Sequence, residues 1–218
     1  MGTTEKKETF KITELRVRLI FTNEILGTST ADPEVYRDYI ASNAPDDTDT
    51  SDEVDALPEL DEEENNKTPV TVFPRQNGIP CFWDYQFKGF FKDTCGALRK
   101  VPSTRSSKIK AYKKEIDGLI FIKERAIPIR YDGEVGMCVR PLRASTAKGE
   151  RIALAASESI PAGATVEFTI RVMLDPLVDA VKEWLDYGQF RGMGQWRNSG
   201  KGSFTWELLE ETSVALGA

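Results

Sequence analysis

The chain has 218 residues, with 29 Lys/Arg against 35 Asp/Glu, three cysteines and no histidine. The missing imidazole excludes Ser-His and Cys-His nucleophile systems, and three cysteines without a CxxC pair argue against a zinc site of ordinary type. No apolar run approaches the roughly 18 residues that a membrane helix needs, and Met1 to Thr9 lacks a signal-peptide stretch, so a soluble cytoplasmic protein with free thiols at Cys81, Cys95 and Cys138 is expected.

The net charge of −6 hides two opposed regions. Residues 31 to 66 hold fourteen Asp/Glu and one basic residue, Arg37, a net of −13, which leaves the rest of the chain at +7. A basic body with one acidic segment keeps nucleic-acid binding open despite the low overall charge.

In chain order, KITELRVRLIFT (11–22) alternates, with Val17, Leu19 and Phe21 on one side and Arg16, Arg18 and Ile20 on the other, which predicts a strand with one buried face. The stretch 31–68 is acidic and poor in apolar residues, and is expected to be a flexible insertion. Residues 78–83 read as an extended lead-in to a helix over 84–99, with Asp84 as its N-cap and Phe87, Phe91 and Leu98 at helical spacing. Gly89 and Gly96 weaken that helix by about 1 kcal/mol each relative to alanine, which suggests close approach by a neighbour. Residues 101–114 read as a Ser/Lys-rich loop, 118–122 as a short buried strand, and 123–160 as a β-rich insertion, irregular over 126–141. A clean strand follows at 164–173, with Val166, Phe168, Ile170 and Val172 inward. Asp175 and Pro176 then open a helix over 176–187 with Leu177, Val181, Trp184 and Leu185 on its apolar face, closed by Gly188. SFTWELL (203–209) alternates again, with Phe204, Trp206 and Leu208 on one side.

The strong elements give the order β(11–22), α(84–99), β(118–122), β(164–173), α(176–187), β(203–209), a ferredoxin-like βαββαβ core of α+β class in a single domain spanning 1–218. Both helices would cover one face of a four-stranded sheet, leaving the other open to bind something.

The most specific segment lies between the last helix and the last strand. Two G-x-G pairs, Gly192/Gly194 and Gly200/Gly202, flank Trp196, Arg197, Asn198 and Ser199, with Lys201 between the last two glycines. Glycines let a backbone approach a ligand closely, exposed amides can hold anionic oxygens, and Arg197 and Lys201 add charge. The segment lacks G-x-x-x-x-G-K-[ST] and follows a helix, so it is neither a phosphate-binding P-loop nor a dinucleotide fingerprint. Residues 88–114 add nine Lys/Arg, among them Lys88 and Arg99, against Asp93 alone. Trp83, Trp196, Phe82 and Tyr85 are candidates to stack on bases, whereas Trp184 and Trp206 read as core.

This order, ending in helix, G-x-G, basic-polar stretch, G-x-G and strand, resembles the RAMP superfamily of CRISPR-associated proteins. Two further blocks carry the likeness. Gly78-Ile79-Pro80 followed by Lys88-Gly89 and Leu98-Arg99 resembles the family's extended run into a first helix with a Lys-Gly pair. Arg140-Pro141-Leu142 and then Glu158-Ser159-Ile160-Pro161-Ala162-Gly163 resembles its turn before the third core strand. The sequence departs where the family has small residues before the Lys-Gly: Phe82-Trp83-Asp84-Tyr85 is bulkier and acidic.

The resemblance implies binding of a guide-RNA backbone within a multi-subunit ribonucleoprotein effector of antiviral defence, with other subunits as partners and no cofactor. Carried over by position, the binding residues are Lys88, Gly192, Gly194, Arg197, Gly200, Lys201 and Gly202; the charge run adds Arg99, and the loop's aromatic adds Trp196. Two alternatives stay open. One is an assembly subunit whose acidic insert contacts a basic partner. The other is a metal-dependent endoribonuclease, for which Asp32, after the first strand, is the candidate; otherwise no catalytic residue and no metal ligand is singled out.

Overall fold

Period-two burial builds the centre of the molecule. In this computed structural model, which describes residues 10–31, 70–146 and 149–216, the chain runs β1 (Phe10–Phe21), β2 (Ile25–Leu26), β3 (Ser29–Thr30), β4 (Val70–Val72), β5 (Arg75–Gln76) and β6 (Ile79–Trp83). Then come α1 (Asp84–Leu98), α2 (Tyr112–Leu119), β7 (Ile120–Ile122), β8 (Ala126–Pro128), β9 (Gly136–Thr146) and β10 (Gly149–Ile160). The last elements are β11 (Thr165–Val172), α3 (Asp175–Asp186) and β12 (Phe204–Leu216). The architecture is α+β. Asp32 and nearly all of the acidic 31–68 stretch lie outside the described residues.

Strands β12, β1, β11 and β7 form a sheet in that order, with every neighbouring pair antiparallel. Leu15, Val17, Leu19 and Phe21 of β1 and Val166, Phe168, Ile170 and Val172 of β11 are buried on one face. The helices cover that face: Phe87 of α1 meets Phe168 with ring centroids 4.1 Å apart, and Phe91 meets Trp184 of α3 at 5.6 Å. Such aromatic pairs add about 0.5–1.5 kcal/mol each beyond simple area burial.

The helix termini differ in detail from the sequence reading. Asp84 is the first helical residue, not the cap; the backbone N–H of Trp83 donates instead to Gln86 Oε1 at 2.7 Å, which satisfies one of the donors a helix start leaves open. Gly188 does not close α3 through a left-handed turn. It sits where any Cβ would collide with the ring of Phe204, so its smallness serves packing of α3 on β12. Gly96 is similar: a Cβ there would lie 3.1 Å from Tyr112 Oη. Gly89 faces open space, and nothing in the structure explains it.

Around this sheet lie two smaller ones. One has the order β2-β10-β4-β3, with β9 paired to β10; the other is β5-β6-β8. Three elements departed from the sequence reading. Residues 112–119, read partly as loop, are a helix, whose single buried residue, Ile116, gives too little apolar periodicity to show. Residues 136–146 and 149–160 form two long strands paired antiparallel. β12 runs to Leu216, because its partner is β1 along its whole length and not a core face; Leu208, Leu209 and Val214 of it stay exposed.

Candidate nucleic-acid interface

The glycine segment leaves α3 through a short helical turn, Tyr187–Gln189, and folds back on itself before β12. Met193 N–H donates to the Gly202 carbonyl at 3.0 Å, Gly202 N–H to Glu24 O at 2.8 Å, and Gln195 N–H to Leu26 O at 3.3 Å. A Cβ on Gly192 would collide with the Gly202 backbone, and one on Gly202 (φ +68°) with the Met193 carbonyl. Gly194 (φ +86°) presses on the Leu26 carbonyl in the same way. These three glycines therefore allow chain to approach chain. Gly200 (φ +83°) has open space above it and ends a turn over Arg197–Ser199, whose Asn198 and Ser199 are exposed.

The cations of the segment have partners. Lys201 Nζ pairs with Glu24 Oε1. Asp93, on α1, holds Arg197 at 3.1 Å and Arg191 at 2.7 Å, and Arg191 also donates to Asn198 Oδ1. Burial pushes the Arg197 guanidinium below its ordinary pKa, and the Asp93 charge opposes that shift. Two arginines on one carboxylate leave a net positive charge at this corner.

Beside it an open groove of about 440 Å³ runs between the second half of α1 and the start of the glycine segment, its polar lining made by Lys92, Asp93, Lys100, Tyr112, Tyr187 and Arg191. The Arg99 guanidinium lies 5.0 Å from the Tyr112 ring centroid but is not among the residues that line the groove. The 101–114 stretch contributes Tyr112 to the groove, and its Lys108, Lys110, Lys113 and Lys114 are exposed. None of these four lysines forms an ion pair among the described residues, while Arg105 pairs with Asp179 at 3.1 Å.

That basic stretch is fixed in place. Glu183 of α3 accepts from the backbone N–H of Arg105 at 2.6 Å, from the N–H of Ser106 at 3.1 Å and from Ser106 Oγ at 2.7 Å. Trp184 Nε1–H donates to the same Ser106 Oγ at 2.8 Å. Sequence reasoning missed Glu183, Ser106, Arg191, Tyr112 and Tyr187. The one available signal was a serine buried in an otherwise charged run, and burial is not visible in a sequence.

Lys88 lies apart from this groove. Its Nζ sits 4.4 Å from the Phe121 centroid and donates to the Asp117 carbonyl at 3.2 Å, and burial lowers its pKa. Of the stacking candidates, Phe82 is core and Trp83 half-buried, whereas Tyr85 and Trp196 are exposed.

The uncovered face of the central sheet carries ion pairs. Arg171 donates to Glu14 at 2.8 Å, and Arg18 to Glu167 at 2.7 Å with Arg16 at 3.3 Å. The Arg171 hydrogen bond, helped by the nearby Lys123 charge, holds Glu14, and the Arg18 hydrogen bonds hold Glu167, below the usual carboxylate range against the opposing effect of burial. This face has already spent its charges on itself. Among the described residues no three His, Cys, Asp or Glu side chains come together as metal ligands, and none of the helices is long and apolar enough to cross a membrane.

No known protein-family profile and no curated protein matches the chain. Its fold is similar to that of a chain in a solved structure, the cryo-EM structure of the Type III-B Cmr-beta bound to cognate target RNA, with a TM-score of 0.51 at 12% sequence identity. The likeness covers 95% of this chain and 62% of the other, so this chain spans under two thirds of its neighbour's length.

Proposed function

We propose that this protein is an RNA-binding subunit of a CRISPR-type multi-subunit effector, holding a guide RNA by its backbone and performing no catalysis of its own. The observation that carries the proposal is the set of cations at the groove: Lys92, Lys100 and Arg191 line it, and Arg197 of the glycine segment shares Asp93 with Arg191. RNA phosphates need donors and positive charge, and a groove with tyrosine walls suits an extended single strand.

The fold fits the reading. The β12-β1-β11-β7 order with helices on one face supports the reading of a ferredoxin-like core, and with the glycine segment before the last strand it supports assignment to the RAMP superfamily. A neighbour of similar fold is solved with target RNA. The glycines act indirectly in this account: they fold the segment so that Trp196 is exposed and Arg197 reaches Asp93 beside the groove.

The test is equilibrium binding of a single-stranded RNA to the purified protein and to a variant carrying Lys100→Glu and Arg197→Glu. Affinity should fall at least about tenfold, since each reversed charge both removes an attraction and adds a repulsion near the phosphates. Unchanged affinity in a variant with native thermal stability would sink the proposal.

A further inference from the structure

Arg140, on β9, is a buried cation, with 7% of its surface exposed. It donates from Nη1 to Ser157 Oγ at 3.0 Å and from Nη2 to Gln195 Oε1 at 2.9 Å, and its Nε has no partner. Among the described residues no carboxylate pairs with it. Burying an arginine without a counter-ion is costly, so a charge kept in this state marks a place where an anion from outside would be favoured.

The same guanidinium lies 5.0 Å from the ring centroid of Trp196. Trp196 has φ +56°, a left-handed conformation that is unfavourable for a bulky residue, and it is 41% exposed. The glycine segment thus holds the indole partly exposed at a backbone cost, with a planar cation against the ring and part of the residue in solvent. Core packing does not require this, because Trp196 contributes little to the core.

We infer that Arg140 and Trp196 form a subsite for one unpaired nucleotide: the free part of the indole stacks on its base, and the uncompensated Arg140 charge favours its phosphate. The inference rests on the RNA-binding reading and deepens it by adding a base contact to a backbone grip. Arg140 acts here as a positioning residue. It joins β9 to the glycine segment through Gln195 and orients the ring, while Trp196 touches the base.

The experiment compares a fluorescein-labelled oligouridylate of 20 nucleotides with an abasic strand of the same length, using the full chain, Trp196→Asn and Trp196→Phe. Asparagine suits the left-handed backbone, so Trp196→Asn removes the ring without adding strain. The native protein should prefer the base-bearing strand by about tenfold, in line with one base–aromatic stack. That preference should fall toward unity in Trp196→Asn and survive within about threefold in Trp196→Phe. Equal loss of affinity for both strands in Trp196→Asn, or no preference in the native protein, overturns the subsite while leaving the backbone reading intact. Absence of binding to either strand overturns both.

Discussion

Arg197 donates to Asp93 across 3.1 Å, so the cation best placed on the glycine segment to meet a phosphate is already answered by a carboxylate of α1. Asp93 also receives Arg191, and it is the one acidic residue among the nine basic residues of 88–114. It orders two arginines at the mouth of the groove and at the same time dilutes their charge.

Asp93→Asn should therefore raise RNA affinity about three- to tenfold at low salt, by removing a negative charge next to the phosphate path. It should cost about 1 kcal/mol of stability, the scale of a partly exposed ion pair with hydrogen bonds. Titration together with urea denaturation checks both signs. A fall in affinity at unchanged stability would show that ordering by Asp93 outweighs its charge.

Glu183 holds the basic stretch through three donors on Arg105 and Ser106. Glu183→Ala would leave the Ser106 backbone N–H and hydroxyl proton without their acceptor, at a cost of about 2 kcal/mol. Amide hydrogen exchange over 101–111 should quicken more than over β1, and RNA affinity should drop because the lysines lose their fixed positions.

The glycines separate into two kinds. Gly188→Ala should lower stability by about 1–3 kcal/mol by overpacking against Phe204. Gly202→Ala combines a collision with the Met193 carbonyl and a left-handed backbone, and should be the worse of the two. Gly200→Ala meets no neighbour, so only the left-handed backbone opposes it, at about 1–2 kcal/mol. Thermal unfolding should rank them 202, 188, 200, from the most to the least damaging.

Glu14 and Glu167 have folded-state pKa values below those of the unfolded chain. The unfolded state therefore binds protons first as the solution is acidified. The stability these groups contribute is fully present above the ordinary carboxylate range and is lost as pH falls through their depressed folded values. Urea midpoints should decline from about pH 5 downward, and Glu167→Gln should flatten that decline while lowering stability at pH 7.

Much of the frame was legible in the sequence, for physical reasons. The strand at 164–173 and the helix opened by Asp175 and Pro176 carry strong periodicity, and their inward residues are those the spacing marks: Val166, Phe168, Ile170 and Val172, then Leu177, Val181, Trp184 and Leu185. What stayed hidden depends on pairing between distant parts. The helix at 112–119 shows one buried residue, the end of β12 is held by β1 and not by a core, and the groove joins Lys100 to Arg191 across a long stretch of chain. The glycine segment stood out from composition alone. That three of its glycines serve contact with Glu24, Leu26 and each other could be seen only in three dimensions.

The central claim is that cationic side chains along the groove neutralise phosphates of a single strand. Its most direct test is the slope of log affinity against log salt concentration for a single-stranded RNA, in the native chain and in Lys92→Gln with Lys100→Gln. Each neutralised phosphate contributes about −0.7 to that slope, so the native value should be several times this and the double variant shallower by up to about 1.4. A native affinity that does not change with salt would contradict the account.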